Sequence, residues 1–379
     1  MIQAPVVLGL DFGGTKIAAA VCRLDGARLG AATVSSGSEL GARASFDRGI
    51  ATARDLLASA APGAPLAAVG VSTFGIPFDD RVQLAPAISG WGELPLGREL
   101  RAAFPEAVIR MATDAKAAAA AEVRWGALAG CDPAIYLNLG TGLSAALVTG
   151  GRVIGGANGA AGEIGYNLRA LADVGRALED RVPLEDMISG QALARRAAAL
   201  GRPTDGPARS TDGPARSTDG PARSTDGPAR STDGPARSTE HPDSVAAGTS
   251  GSAGSGRRPL AAADVLTASA AEPDLDQLAS DFVTELAYHV VNLAILVNPV
   301  RIAVGGGLVQ SWDRLRPGLE QALSAGAPFS PELVTARFPA DAPLIGAVAL
   351  AADAARADGA IDGAPVTHPR HTLSEGHHS

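Results

Sequence analysis

A short apolar run that closes on an acid and a pair of glycines occurs near the start of the chain, Val6 to Asp11 followed by Gly13 and Gly14. A second apolar run, Ile17 to Leu24, follows at once. The pattern returns in the second half as Ala134 to Leu139, then Gly140, Thr141 and Gly142, then Ala145 to Val148. Each reads as strand, tight turn, strand. A chain that builds this unit twice is constrained toward two similar α/β halves, and a length of 379 residues suits two domains at about 150 residues each. The reading places further strands at Leu29 to Val34, Leu66 to Thr73, Val108 to Thr113, around Val153 and at Arg301 to Val304. Helices are expected at Ala44 to Ala60, Ala115 to Leu128, Leu184 to Leu200, Ala261 to Ala270 and Leu275 to Val297.

The first turn carries phosphate-handling parts. Asp11, Gly13, Gly14, Thr15 and Lys16 bring a carboxylate, backbone amides free of a Cβ, a hydroxyl and an ammonium into one bend. Such amides converge on an anion, and a nearby carboxylate holds hydrated Mg²⁺. A Walker A loop would read GxxxxGK[ST] and open a helix, whereas here a strand follows. The second turn formally matches GxGxxA, yet it too runs into a strand, which argues against a dinucleotide fingerprint. Either turn alone is equally well a plain hairpin bend. Together they suit one nucleotide clamped between two halves.

Composition narrows the partners. The net charge of −8 supplies no basic face for nucleic acid, and 46% hydrophobic with 19% charged residues suits a globular chain. Cys22 and Cys131 are too few for a disulfide framework or a cysteine zinc site, which fits a reducing compartment. Met1 to Gly14 lacks a signal-sequence pattern, and Leu286 to Val300 is broken by His289, Asn292 and Asn298. The expectation is a cytoplasmic protein without a membrane span. Five repeats of TDGPARS, Thr204 to Ser238, cannot bury a face, so disorder is expected over 203–256 and again in the polar tail, 360–379.

Lysine use is a separate hint: of 32 basic residues only Lys16 and Lys116 are lysine, and both adjoin suspected site residues. Asp114 stands where a predicted strand meets a predicted helix, a place for a cap or for a base. Glu163, in a Gly-rich loop, and Glu185, ahead of Ser189 and Gly190, carry the same ambiguity.

Taken in order, LGLDFGGTKIAAAV (Leu8 to Val21), VGVSTFGIP (Val69 to Pro77), LAPAISGW (Leu84 to Trp91), TDAKAAAAAE (Thr113 to Glu122), LGTGLSAALV (Leu139 to Val148), GGANGAAGEIG (Gly155 to Gly165), EDMISGQAL (Glu185 to Leu193) and NPVRIAVGGG (Asn298 to Gly307) resemble the ROK family of sugar kinases and sugar-responsive repressors. That family belongs to the actin-like ATPase superfamily. The resemblance implies two RNase-H-like domains around a cleft, 1–114 and 115–359, the second interrupted by the 203–256 insert. It implies ATP phosphates held by both turns, the adenosine side near Gly305, Gly306 and Gly307, and Mg²⁺ near Asp11, through water. Asp114 matches the catalytic base, and Thr113, Glu163, Tyr166 and Glu185 match the sugar side. A homodimer is also implied.

The departures bear on the acceptor. Tyr166 stands where the family usually has histidine, and the cysteine-rich zinc segment is missing between Tyr166 and Glu185, so no zinc is expected. Ala87, Thr113 and Lys116 replace usual asparagines. The implied activity is ATP-dependent phosphorylation of a hydroxyl on a hexose or a sugar-like polyol such as a C7-cyclitol. The alternative is a sugar-binding sensor without turnover and without a DNA-binding domain.

Overall fold

The computed structural model describes residues 3–200, 260–268, 271–339 and 341–359. The insert and tail expected to be disordered lie outside the described residues.

The chain opens with β1 (Val6–Phe12), β2 (Lys16–Arg23) and β3 (Arg28–Ser35), an antiparallel meander. Helix α1 (Gly41–Ala60) then returns the chain to β4 (Leu66–Thr73), which lies parallel to β1. A parallel pair needs such a crossover. After a small hairpin, β5 (Ile76–Pro77) and β6 (Val82–Gln83), helix α2 (Leu96–Ala103) leads to β7 (Val108–Thr113), parallel to β4. Sheet order is β3-β2-β1-β4-β7. Strand β1 is buried on both faces, as a central strand must be, whereas β3 is exposed at alternate residues along the edge.

Helix α3 (Asp114–Trp125) joins the two sheets, and the second repeats the plan of the first. Strands β8 (Ala134–Leu139), β9 (Leu143–Thr149) and β10 (Arg152–Val153) are antiparallel. Helices α4 (Gly190–Leu200), α5 (Ala262–Leu266) and α6 (Pro273–Val297) precede β11 (Arg301–Gly305), parallel to β8. Helix α7 (Trp312–Gly326) then leads to β12 (Glu332–Thr335), and the order is β10-β9-β8-β11-β12. The duplicated turn of the sequence is therefore a duplicated sheet.

Helix α8 (Ala342–Gly359) packs on β1 and β4 and against α3, which in turn reaches β8 and β9. The last helix of the chain thus rests on the first sheet. Close approach requires small residues: a Cβ on Gly9 would stand 2.6 Å from a methyl of Val348, and one on Gly346 would strike the Ala117 carbonyl. Ala115 to Ala121 of α3 are all buried, Lys116 among them. That explains a helix with so little polar surface.

Two element readings need correction. The helix expected from Leu184 begins only at Gly190, because Leu184–Asp186 is a 3₁₀ turn and the Ser189 hydroxyl accepts the Ala192 N–H at 3.2 Å as a cap. The helix expected from Ala261 to Ala270 is short, Ala262–Leu266, with the Thr267 hydroxyl bonded back to the Ala263 carbonyl. Helix α6 is long and apolar enough to span a bilayer by length and composition. Its Leu278, Phe282, Leu286 and Val290 instead fill the core beneath the second sheet.

Candidate active site

The first turn is a tight hairpin in which the Gly13 N–H donates to the Lys16 carbonyl at 3.0 Å. It is tied to β3 by the Ser36 hydroxyl, which donates to the Gly14 carbonyl at 2.8 Å, and by the Ser36 N–H, which donates to the Thr15 carbonyl. Behind it, Phe12 packs with Phe46 and Trp91, and the Trp91 indole N–H donates to the Thr73 hydroxyl at 3.1 Å. This apolar wedge fixes the ends of β1 and β4, and with them Asp11.

Burial pushes the Asp11 carboxyl up to about 6, with the charges of Asp114 and Asp341 adding to the effect and Lys16 opposing it. Among the described residues no group of three or more His, Cys, Asp or Glu side chains gathers as metal ligands.

Asp114 is the first residue of α3, with its side chain bonded to the Ala115 N–H at 2.7 Å. It lines a cavity of about 170 Å³ with Asn138, Gly306 and Ala342. Burial raises its carboxyl to about 6, Glu163 and Glu185 adding to the rise and Lys116 opposing it. The acid sensed by Asp11 therefore also faces the second sheet's glycine turns.

At the second turn the Gly140 N–H donates to the Gly142 carbonyl at 3.1 Å, and the Gly190 N–H at the start of α4 donates to the Gly140 carbonyl at 2.9 Å. Gly306, at φ 89°, has the left-handed backbone that favours glycine, and a Cβ there would strike the Leu139 carbonyl. Gly140 lies within 4.0 Å of the Gly307 N–H, measured from its ideal Cβ, and a Cβ on Gly305 would collide with the Tyr136 hydroxyl. Gly305 to Gly307 and Gly140 to Gly142 are one surface.

The expected sugar-side residues gather beside Asp114, but two are already engaged. The Lys116 ammonium donates to Glu163 Oε1 at 2.8 Å and lies 3.4 Å from the Thr113 hydroxyl. Glu185 Oε2 accepts the Leu143 N–H at 2.8 Å and props the second turn from below. Its carboxyl is raised by burial, which that hydrogen bond partly offsets. The Tyr166 hydroxyl is raised too, by burial and by Glu185 and Glu163.

Sequence reasoning passed over Asn138 and Asp341. Asn138 could have been found from its place just ahead of the second turn, and Asp341 from its place just ahead of α8.

Two sheets of identical order, each opening on a glycine hairpin and sharing one acid between them, define the actin-like ATPase fold, two RNase-H-like halves in one α/β chain. The chain belongs to the ROK family, whose model matches residues 7–227. Kanosamine kinase of Amycolatopsis mediterranei is 34% identical over 200 residues, 52% of this chain and 63% of that protein. The bifunctional enzyme NanE/NanK of Brucella melitensis is 29% identical over 356 residues, 91% of this chain and 54% of that protein. The chain thus spans less than two thirds of the length of these relatives. Among solved structures, the ROK hexokinase from Thermus thermophilus superposes with a TM-score of 0.67 at 25% identity, covering 93% of this chain and 100% of that one. A ROK family glucokinase from Streptomyces griseus in complex with glucose and AMPPNP gives 0.60 at 26% identity, covering 93% and 99%.

Proposed function

We propose that the chain is an ATP-dependent kinase that phosphorylates a hydroxyl of a sugar or sugar-like polyol, with Asp114 as the general base. The observation that carries this is the placement of one crowded carboxyl, at the start of α3, in a cavity with Asn138 and Gly306 and within electrostatic reach of Asp11. A base raised to about 6 is ionised at neutral pH and still basic enough to take the proton of an attacking hydroxyl. The amides of Gly13, Gly14, Gly140 and Gly142 would cradle phosphates, with Thr15, Lys16 and Thr141 at the rims of the turns and Gly305 to Gly307 toward the adenosine side. Mg²⁺, held through water near Asp11, would neutralise charge on the phosphates when bound. Names of relatives that include kanosamine kinase, NanK and glucokinase support a sugar acceptor.

The test is ADP release from Mg-ATP with a panel of hexoses, amino sugars and cyclitols, comparing the protein with Asp114→Asn. Acceptor-stimulated release that the variant loses supports the reading; equal release by both overturns the base assignment. A second reading, sugar binding without turnover, draws on the engagement of Glu163 and Glu185 by Lys116 and Leu143. It predicts calorimetric sugar binding with no release on any acceptor.

A further inference from the structure

Strand β8 runs through the middle of the second sheet, and its side chains alternate between the two faces. Ile135, Leu137 and Leu139 enter the core beneath the sheet, which leaves Tyr136 and Asn138 on the opposite face. Every residue of the strand is buried except Asn138, which is half-buried and lines the Asp114 cavity. Of the residues that line that cavity, Asp114, Tyr136 and Asn138 carry polar side chains; the others are alanine, proline and glycine. Tyr136 is 2% exposed and packs its ring against the Gly305 backbone.

The Asn138 side chain lies where the two glycine segments meet. Its Oδ1 is 2.8 Å from the position a Cβ would take on Gly306 and 3.7 Å from the corresponding position on Gly140. Neither glycine has a side chain to cover it. One N–H of Nδ2 donates to the Ser144 hydroxyl at 3.4 Å, across the β8–β9 ladder in which the two residues are register partners. The amide is planar, so this contact fixes the direction of the second N–H as well.

The first sheet holds a counterpart. Asp11 stands two residues ahead of Gly13 on β1, as Asn138 stands two ahead of Gly140 on β8. Asp11 lies between Ala18 and Ser72 in register, and Asn138 between Ser144 and Gly305. The duplicated sheet thus puts one polar side chain before each turn, a carboxylate in the first half and an amide in the second. The difference decides what each can hold. A carboxylate accepts hydrogen bonds and repels a phosphate, whereas an amide donates two and sets no negative charge against one. In phosphoryl transfer, charge spreads over the oxygens of the moving group, so a fixed donor there acts most strongly in the transition state.

Resting on the kinase reading above, we propose that Asn138 is a further catalytic residue, whose Nδ2 donates to an oxygen of the transferring phosphoryl group and holds that group between the glycine turns and Asp114. An asparagine that merely braced β8 against β9 would alter stability and weaken every nucleotide alike.

The experiment uses the full-length protein, Asn138→Ala and Asn138→Asp, with melting temperatures as the check on folding. Calorimetry with Mg-ADP and with the non-hydrolysable analogue AMPPNP separates the terminal phosphoryl group from the rest of the nucleotide, and kcat is read from ADP release with the acceptor panel above. Asn138→Ala should bind Mg-ADP within about twofold of the unaltered protein, bind AMPPNP about tenfold more weakly and lose ~10² in kcat. Asn138→Asp keeps the side chain's size and sets a like charge against the terminal phosphate, so its loss of AMPPNP affinity should exceed that of the alanine variant. It also keeps the test open should the alanine variant fail to fold. Equal losses for the two nucleotides, or an unchanged AMPPNP affinity and kcat in a folded variant, overturn the proposal. Should the unaltered protein release no ADP with any acceptor, the kinase reading fails separately, and the ratio of AMPPNP to ADP affinity still decides the role of Asn138. Absence of nucleotide binding altogether overturns both.

Discussion

Replacing Asp114 by asparagine should move activity and stability in opposite directions. The substitution keeps the side chain's size and an oxygen to accept the Ala115 N–H, so the start of α3 is preserved. What it removes is a negative charge held where burial raises the carboxyl from 3.8 to about 6. A shift of that size corresponds to about 3 kcal/mol of destabilisation when the group is ionised. The carboxyl borders an open cavity, so water screens part of this, and a gain of about 1–2 kcal/mol is expected for the variant. The sign follows from linkage. Because the folded state holds this proton more tightly than the unfolded chain, the penalty is absent below pH 3.8, grows toward about 6, and is complete above it. Urea unfolding at pH 8 and pH 4 should show the variant more stable at the first and equal at the second. Over the same series kcat should fall by ~10² to 10⁴ at pH 8, and kcat/KM of the unaltered protein should decline as pH drops through about 6. An asparagine variant that is less stable at pH 8, or that keeps its turnover, would show that this carboxylate is neither strained by its surroundings nor the base.

Further expectations concern the scaffold. Glu122 is fully buried, and its two oxygens accept the N–H groups of Ala127 at 2.6 Å and Phe338 at 2.9 Å. Glu122→Gln leaves one of them facing a donor, and thermal unfolding should report a loss of about 1–3 kcal/mol; an unchanged melting temperature would refute this. In Gly142→Ala the new methyl collides with the Glu185 carboxylate that props the second turn, so KM for ATP should rise by about tenfold or more in steady-state kinetics. An unchanged KM would separate that turn from the nucleotide. Deletion of Thr204 to Ser238 should leave ADP release within about twofold, since the repeat carries no apolar face to contribute to a core.

How much of this was legible in the sequence follows from the range of the forces involved. Strands β4, β7 and β8 fall where the apolar runs place them, because burial on both faces leaves little choice of period. Both glycine turns were readable for the same reason: the strands on either side exclude a helix. The 3₁₀ turn at Leu184–Asp186 was not, since local composition there is helical and only the distant Leu143 N–H draws Glu185 out of that pattern. Asp114 was visible as a residue at a strand–helix boundary. The proximity of Asp11 to it depends on the parallel order of β1, β4 and β7, which no local pattern encodes. Lys116 stood out by rarity, while its bond to Glu163 joins elements 47 positions apart and needed the fold.

The stretch between Tyr166 and Glu185, where the family resemblance sets a cysteine-rich segment, shows how the same task is met with other chemistry. Its task is to hold the turn that carries Glu185 beneath Gly142. Here the Arg169 guanidinium forks onto both oxygens of Asp173, at 3.1 and 3.0 Å, and the Arg169 N–H adds a third bond to the same carboxylate at 2.9 Å. These bonds hold the Asp173 carboxyl down at about 2. The guanidinium also reaches the Met187 sulfur, one residue past the 3₁₀ turn, and Arg181 donates to the Tyr166 carbonyl at 2.7 Å from the far end of the loop. The fork therefore links the loop's interior to the segment that presents Glu185, while Arg181 closes its base. A planar, permanently charged fork can do this because it fixes direction as well as distance, which a lysine could not. The near-exclusive use of arginine and the two retained lysines thus have one explanation: geometry is imposed where the scaffold must be rigid, and a mobile point charge is kept only beside the reacting groups.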